Sequence, residues 1–172
     1  NNQLCSLGAM RSMPSKILAL WCWYHGAPFR GYQSQPQGPT VQDALMHALS
    51  RSGIDGTPIS AGRTDLGVHA RMQIVTVRVP RETTLEDLER DLRTHLPDGL
   101  GIECVKEAPR KFHPQWHCSG KEYRYRIATS DLPEWSPVSG RIDVDTHALR
   151  ESLAMAVGMR DFQAFHEKSS AI

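Results

Sequence analysis

The segment Lys16 to Tyr24 constrains the fold more than any other part of the chain. After one lysine come eight apolar residues in a row (Ile-Leu-Ala-Leu-Trp-Cys-Trp-Tyr), with neither a strand alternation nor a helical stripe. A strand of this composition is apolar on both faces and reads as a central strand covered on both sides. It is far shorter than the ~18–20 residues of a membrane-spanning helix, and no small-residue cleavage site follows it. A central strand needs a neighbour at each edge, and the chain supplies candidates. Val68 to Val79 sets Val75, Val77 and Val79 on one face and stops at Pro80. Gly101 to Glu107 reads as another strand, and Thr57 to Ala61 as a short extended piece.

Between these strands lie two helices with start signals. Thr40 opens the first, with Asp43 three residues on in a variant of the capping box. Its stripe is Val41, Leu45, Ala48 and Leu49, and Gly53 ends it. Thr84 and Asp87 repeat the pattern. Leu85, Leu88, Leu92 and Leu96 then line one face of a helix that ends before Pro97. The order strand, helix, strand, strand, helix, strand is that of the ferredoxin-like split βαβ fold, an α+β class. It predicts an antiparallel sheet with both helices on one face and the other face free.

Residues 1–14 have no periodicity and read as a disordered leader or tag remnant. The catalytic candidate domain is 15–108, and 109–172 reads as a linker followed by the start of a second, similar α+β domain. In that part Ala108 to Gly120 is linker and Lys121 to Thr129 a strand. Trp135 to Asp143 is irregular. A helix beginning at Asp145 or Thr146 carries Leu149, Leu153, Ala156 and Val157. Four cysteines without CxxC spacing point to a reducing, cytoplasmic setting. Net charge is only +1, but it is unevenly spread. From Arg110 to Arg126 there are five basic residues against one acid, and from Arg81 to Asp91 five acids against two arginines. That division fits a molecule with one phosphate-seeking side.

The chemistry concentrates in Ala61-Gly62-Arg63-Thr64-Asp65-Leu66-Gly67-Val68-His69-Ala70. Arg63 and Asp65, two residues apart in an extended or turning backbone, leave on similar headings. An arginine within a few Å keeps a carboxylate ionised, which suits a nucleophile or electrostatic stabiliser. His69 is placed either for general-base work or for a bond to nearby backbone. In the Gly/Pro/Gln-rich loop from Pro28 to Pro39, Phe29-Arg30-Gly31-Tyr32-Gln33 can approach a polar ligand. Tyr123-Arg124-Tyr125-Arg126-Ile127 sorts by strand alternation into a tyrosine face and an arginine face. An aromatic beside basic groups can stack an unpaired base, worth about 1–3 kcal/mol, while holding its phosphates. The same pattern also suits a core tyrosine pair. His113, His117 and Cys118 lack a second Cys or His cluster at zinc-like spacing, so no metal site is expected. No phosphate-binding glycine loop, nucleophile-elbow serine or HExxH is present.

The run Ala61 to Ala70 resembles the Gly-Arg-Thr-Asp-Ala-Gly-Val-His-Ala signature of the TruA-type tRNA pseudouridine synthases, with Leu66 for the usual alanine. Supporting matches follow in order. Gly31-Tyr32-Gln33 resembles the family's Gly-Trp-Gln; Val41-Gln42 opens the first helix, and Leu96-Pro97 precedes the fourth strand. Phe112-His113 and Lys121-x-Tyr123-Arg124-Tyr125-Arg126-Ile127 resemble a second block, and Asp161-Phe162-Gln163-Ala164-Phe165 a later one. The resemblance covers about residues 16–168. It implies isomerisation of uridine to pseudouridine in the tRNA anticodon stem-loop, at about positions 38–40, on a base flipped out of its stack. It implies no metal and no organic cofactor, and a homodimer. On this resemblance Asp65 is the catalytic aspartate, Arg63 steadies the flipped nucleotide and Tyr123 stacks on the target base. Arg30, Gln33, Thr64, His69, Arg124 and Arg126 join the substrate-binding set. The family pattern continues past the Asp161–Phe165 block and includes a further basic residue near the aspartate. Nothing here matches that region, so the chain reads as a fragment or a shortened homologue. Two other classes fit the same residues: an inactive RNA-binding module on this fold, and an assembly protein dimerising through the free sheet face.

Overall fold

A computed structural model describes residues 14–128, 140–141 and 143–165. The chain is α+β, and its described residues fall into two compact units that divide after Lys121. In the first unit the elements are β1 (Ser15–Tyr24), α1 (Val41–Arg51), β2 (Ile59–Ser60), β3 (Ala70–Pro80), α2 (Leu85–His95) and β4 (Leu100–Ala108). The four strands form one antiparallel sheet in the order β2-β3-β1-β4.

Strand β1 is central, as its composition demands, but its two faces are covered unequally. Leu18, Leu20, Cys22 and Tyr24 are sealed beneath the two helices with Val75, Val77 and Val79 of β3. On the opposite face Ala19 is buried and Ile17 and Trp21 are half-buried, while Trp23 is 38% exposed. The expectation of a strand covered on both sides is therefore corrected. The indoles cover themselves through local contacts instead. Lys106 places its ammonium 5.4 Å from the Trp21 ring centre. Trp23 lies across Gly101, where a Cβ would come within 2.5 Å of the indole.

The register of β4 explains why Ile102 and Val105 both face the core although they stand three positions apart. Trp21 pairs with Cys104 and Cys22 with Ile102, so Glu103 is an extra residue that resets the alternation. Helix α1 starts as read. Asp43 N–H donates to Thr40 Oγ1 at 3.1 Å, and the Thr40 hydroxyl donates to Asp43 Oδ2 at 2.5 Å. Val41, Leu45, Ala48 and Leu49 are all buried. In α2, Thr84 bonds Asp87 Oδ2 but not the backbone; Leu88 and Leu92 are buried, and Leu85 and Leu96 lie at the core's edge.

The second unit is sparser. The expected strand over 121–129 is present only at β5 (Ile127–Ala128), paired in parallel with β6 (Gly140–Arg141). Residues 121–125 have no ladder partner among the described residues, and a strand without one does not form. Gly140 and Arg141 fall inside the stretch read as irregular, whereas 129–139 and 142 lie outside the described residues. Helix α3 (Thr146–Met155) opens at Asp145, whose carboxylate accepts from His147 and Ala148 N–H at 2.8 and 3.3 Å. Its apolar stripe is largely uncovered among the described residues, with Leu153 exposed and Leu149 half-buried. Of the segment read as a leader, 1–13 likewise lie outside the described residues. No described helix is long and apolar enough to cross a membrane.

Candidate active site

The bend between β2 and β3 is built around Thr64. Thr64 Oγ1 and the Tyr24 hydroxyl share a hydrogen bond of 2.8 Å, and Thr64 C=O accepts from Tyr32 N–H at 2.9 Å. Tyr24 is sealed in the core at the end of β1, so the bend is moored to the sheet itself. Burial pushes the Tyr24 phenol above its ordinary value, opposed by the Thr64 bond, and it stays protonated at neutral pH. With Thr64 turned inward, its neighbours Arg63 and Asp65 both point to solvent.

Arg63 and Asp65 do not form an ion pair, so the close arginine–carboxylate contact that their spacing suggested is not observed. Both groups instead line one open depression with a volume of about 240 Å³, together with Arg30, Tyr32, Gln33, Ser34, Gln35, Thr64 and Leu66. The sequence-derived candidates Arg30, Gln33, Arg63, Thr64 and Asp65 therefore meet at one place.

His69 is not part of that lining. Its Nδ1 accepts from Gly26 N–H at 3.3 Å, which fixes the proton on Nε2 and ties the end of the bend to the loop after β1. A bond to nearby backbone, one of the two roles read for this histidine, is present. Its ring also meets His25 edge-on, with centroids 5.6 Å apart.

The opposite wall of the depression is held by Gln42, a residue that motif reading left as part of a helix start. Gln42 is buried in α1 and works as a hub. Its Oε1 accepts from Gln33 Nε2 at 2.6 Å and Ser34 N–H at 2.9 Å, and its Nε2 donates to Pro58 C=O at 2.8 Å. Tyr32, also buried, reaches the same carbonyl at 3.4 Å. Gly31 sits between the two walls at φ +91°, and a Cβ there would come 2.7 Å from Thr64 O. Glycine is thus required for the loop to lie against the bend.

Tyr123, Arg124 and Arg126 belong to the second unit. Tyr123 is 64% exposed and Tyr125 is 87% exposed, so the tyrosine face is not a core pair among the described residues. Arg124 is engaged by Glu122. No described group of three His, Cys, Asp or Glu side chains is arranged to hold a metal ion. His113 and His117 bond to each other's segment, with His113 N–H donating to His117 Nδ1 at 3.1 Å.

Chemically, the depression offers an exposed carboxylate with no competing cation on it, two guanidiniums, and amide side chains fixed by a buried hub. That set can bind an anionic, hydrogen-bonding ligand and present a nucleophile to it.

Among curated proteins, tRNA pseudouridine synthase A of Citrifermentans bemidjiense is 35% identical over 157 residues, covering 86% of this chain and 61% of that protein. The protein of the same name from Geobacter sp. strain M21 is 36% identical over 157 residues, covering 86% and 62%. That of Geobacillus kaustophilus is 33% identical over 159 residues, covering 87% and 60%. The chain thus spans about three-fifths of the length of the curated relatives it matches. No protein-family model matches it.

Proposed function

Because the chain is homologous over 86% of its length to proteins named tRNA pseudouridine synthase A, we propose that it carries the catalytic portion of such an enzyme and isomerises uridine to pseudouridine in the anticodon stem-loop. Residues 15–108 are then a ferredoxin-like split βαβ domain, and 109–172 a linker and the start of a second domain of the same kind. The observation that carries the reading is the presentation of Asp65 and Arg63 on one open depression by a threonine anchored to the sheet.

The reaction breaks the N1–C1′ glycosidic bond, turns the uracil and rejoins it through C5. Asp65 is the carboxylate that attacks C1′ or C6, or assists departure of the base. Its open position suits this, since a carboxylate locked to a cation would have to leave its partner first. Arg63 steadies the extruded nucleotide, while Arg30 and Gln33 bind the same residue from the opposing loop. Extrusion costs a few kcal/mol, and stacking on Tyr123 with phosphate contacts from Arg124 and Arg126 offsets it. Thr64 and His69 hold the bend. No cofactor is called for, since the rearrangement gains nothing from solution. Selection of the tRNA rests on the shape of its arm. A cytoplasmic homodimer is the expected assembly.

Tritium release from C5-labelled uridine in tRNA tests the reading. Release by the chain that disappears in Asp65→Asn is the expected result. Release unchanged in that variant refutes the role of Asp65, and tRNA binding without release by either protein establishes an RNA-binding module instead.

A further inference from the structure

We propose that Lys121 is a further phosphate-binding cation of the site, seated on the catalytic bend by the missing side chain of Gly62. Lys121 closes the first unit, about fifty residues beyond the bend in sequence. Its stem lies against the Gly62 backbone. A Cβ built on Gly62 would stand 3.1 Å from Lys121 Nζ, 3.3 Å from Cε and 3.7 Å from Cδ. The space left by one hydrogen in place of a methyl is thus filled by the lysine, and its ammonium is brought beside the residue that precedes Arg63. The peptide under it is fixed, because buried Gln73 donates from Nε2 to Gly62 C=O at 2.6 Å.

Charge and exposure support a ligand rather than a structural role. Among the described residues no carboxylate lies within ion-pair distance of Lys121 or Arg63, and both side chains are exposed. Two unneutralised cations held on adjacent parts of one bend repel each other, an arrangement that an intervening anion relieves. A phosphodiester fits it: the guanidinium offers a planar fork and the ammonium a point charge. The ligand is therefore the phosphate next to the target nucleotide, and the inference rests on the proposed RNA substrate.

The test is a double-mutant cycle on binding of unmodified tRNA, with affinity followed from 50 to 200 mM salt. Loss of one phosphate contact in Lys121→Gln should narrow the wild-type advantage by about 3-fold across that range. Lys121→Arg should retain most of the affinity. Gly62→Ala keeps the charge but displaces it, and because Gly62 is not in the left-handed region its backbone tolerates alanine. It should weaken binding on its own and add nothing in the Lys121→Gln background. Thermal melts confirm that each variant is folded. If Gly62→Ala binds like wild type, or if the two losses add, the seat is refuted and Lys121 contributes net charge only. If the wild-type chain binds no tRNA, the RNA reading itself fails and this inference with it. An unchanged salt slope in Lys121→Gln beside intact tRNA binding refutes this inference alone.

Discussion

Gly31→Ala should disable the site by moving the bend, and the size of the effect follows from three contacts. At φ +91° an alanine carries about 1–2 kcal/mol of backbone strain. Its Cβ would stand 2.7 Å from Thr64 O and 3.3 Å from Asp65 C, both of them backbone atoms. Ordinary contact begins near 3.4 Å, so loop and bend must part by about 0.7 Å. That movement stretches the 2.9 Å bond from Tyr32 N–H to Thr64 C=O, worth about 0.5–1.5 kcal/mol. Together these give about 2–3 kcal/mol, a fall in Tm of about 10–20 °C for a domain near this size. The part displaced carries Asp65, and a misplacement of this order can cost up to about 100-fold in rate. Gly53→Ala is the control. It has φ +75° with open space around it, far from the bend in the loop after α1, so it bears the strain without the collision. The assays are thermal melts and single-turnover tritium release at a temperature where all variants are folded. Gly53→Ala should lose about 1 kcal/mol of stability and keep its rate. If Gly31→Ala loses no more rate than Gly53→Ala, the packing of loop on bend does not position the aspartate.

Tyr24→Phe removes the hydroxyl that moors Thr64, and should cost about 1 kcal/mol in denaturant unfolding; the same loss should vanish in a Thr64→Val background. Gln42→Leu deprives Ser34 N–H and Gln33 of their acceptor, whereas Pro58 C=O keeps Tyr32. A loss of about 2 kcal/mol is expected, with a rise in KM for tRNA larger than any fall in kcat. Burial pushes the Cys22 thiol up to about 12, so iodoacetamide at pH 8 should spare it in the folded protein and label it on unfolding. Between its ordinary 9.0 and about 12 the folded chain keeps a proton that the unfolded chain releases. Stability should then fall with rising pH by up to about 1.4 kcal/mol per unit, checked by melts across that window.

The parts of this molecule that were legible in its sequence are those where a periodic or local rule acts alone. Val75, Val77 and Val79 announced a face because strand alternation is a property of the backbone, and Thr40 with Asp43 announced a helix start because the cap closes within four residues. The same logic failed at β1, where eight apolar residues suggested cover on both faces. Composition reports that a surface is apolar, not what covers it, and here Gly101 and Lys106 shelter the indoles from within the sheet. Alternation also could not show the extra residue at Glu103, since a bulge is set by the partner strand. The site divides along the same line. Arg30, Gln33, Arg63, Thr64 and Asp65 were found because they sit in short recognisable runs. Tyr24 and Gln42 were not assigned to the site, because each acts through one long-range hydrogen bond or a hub of them, with no spacing to betray it. The spacing of Arg63 and Asp65 suggested an ion pair, yet the two line one depression without forming one, because alternation fixes a common face and not a distance. What holds the aspartate open to a substrate is the inward threonine between them, and its partner lies forty residues away on β1.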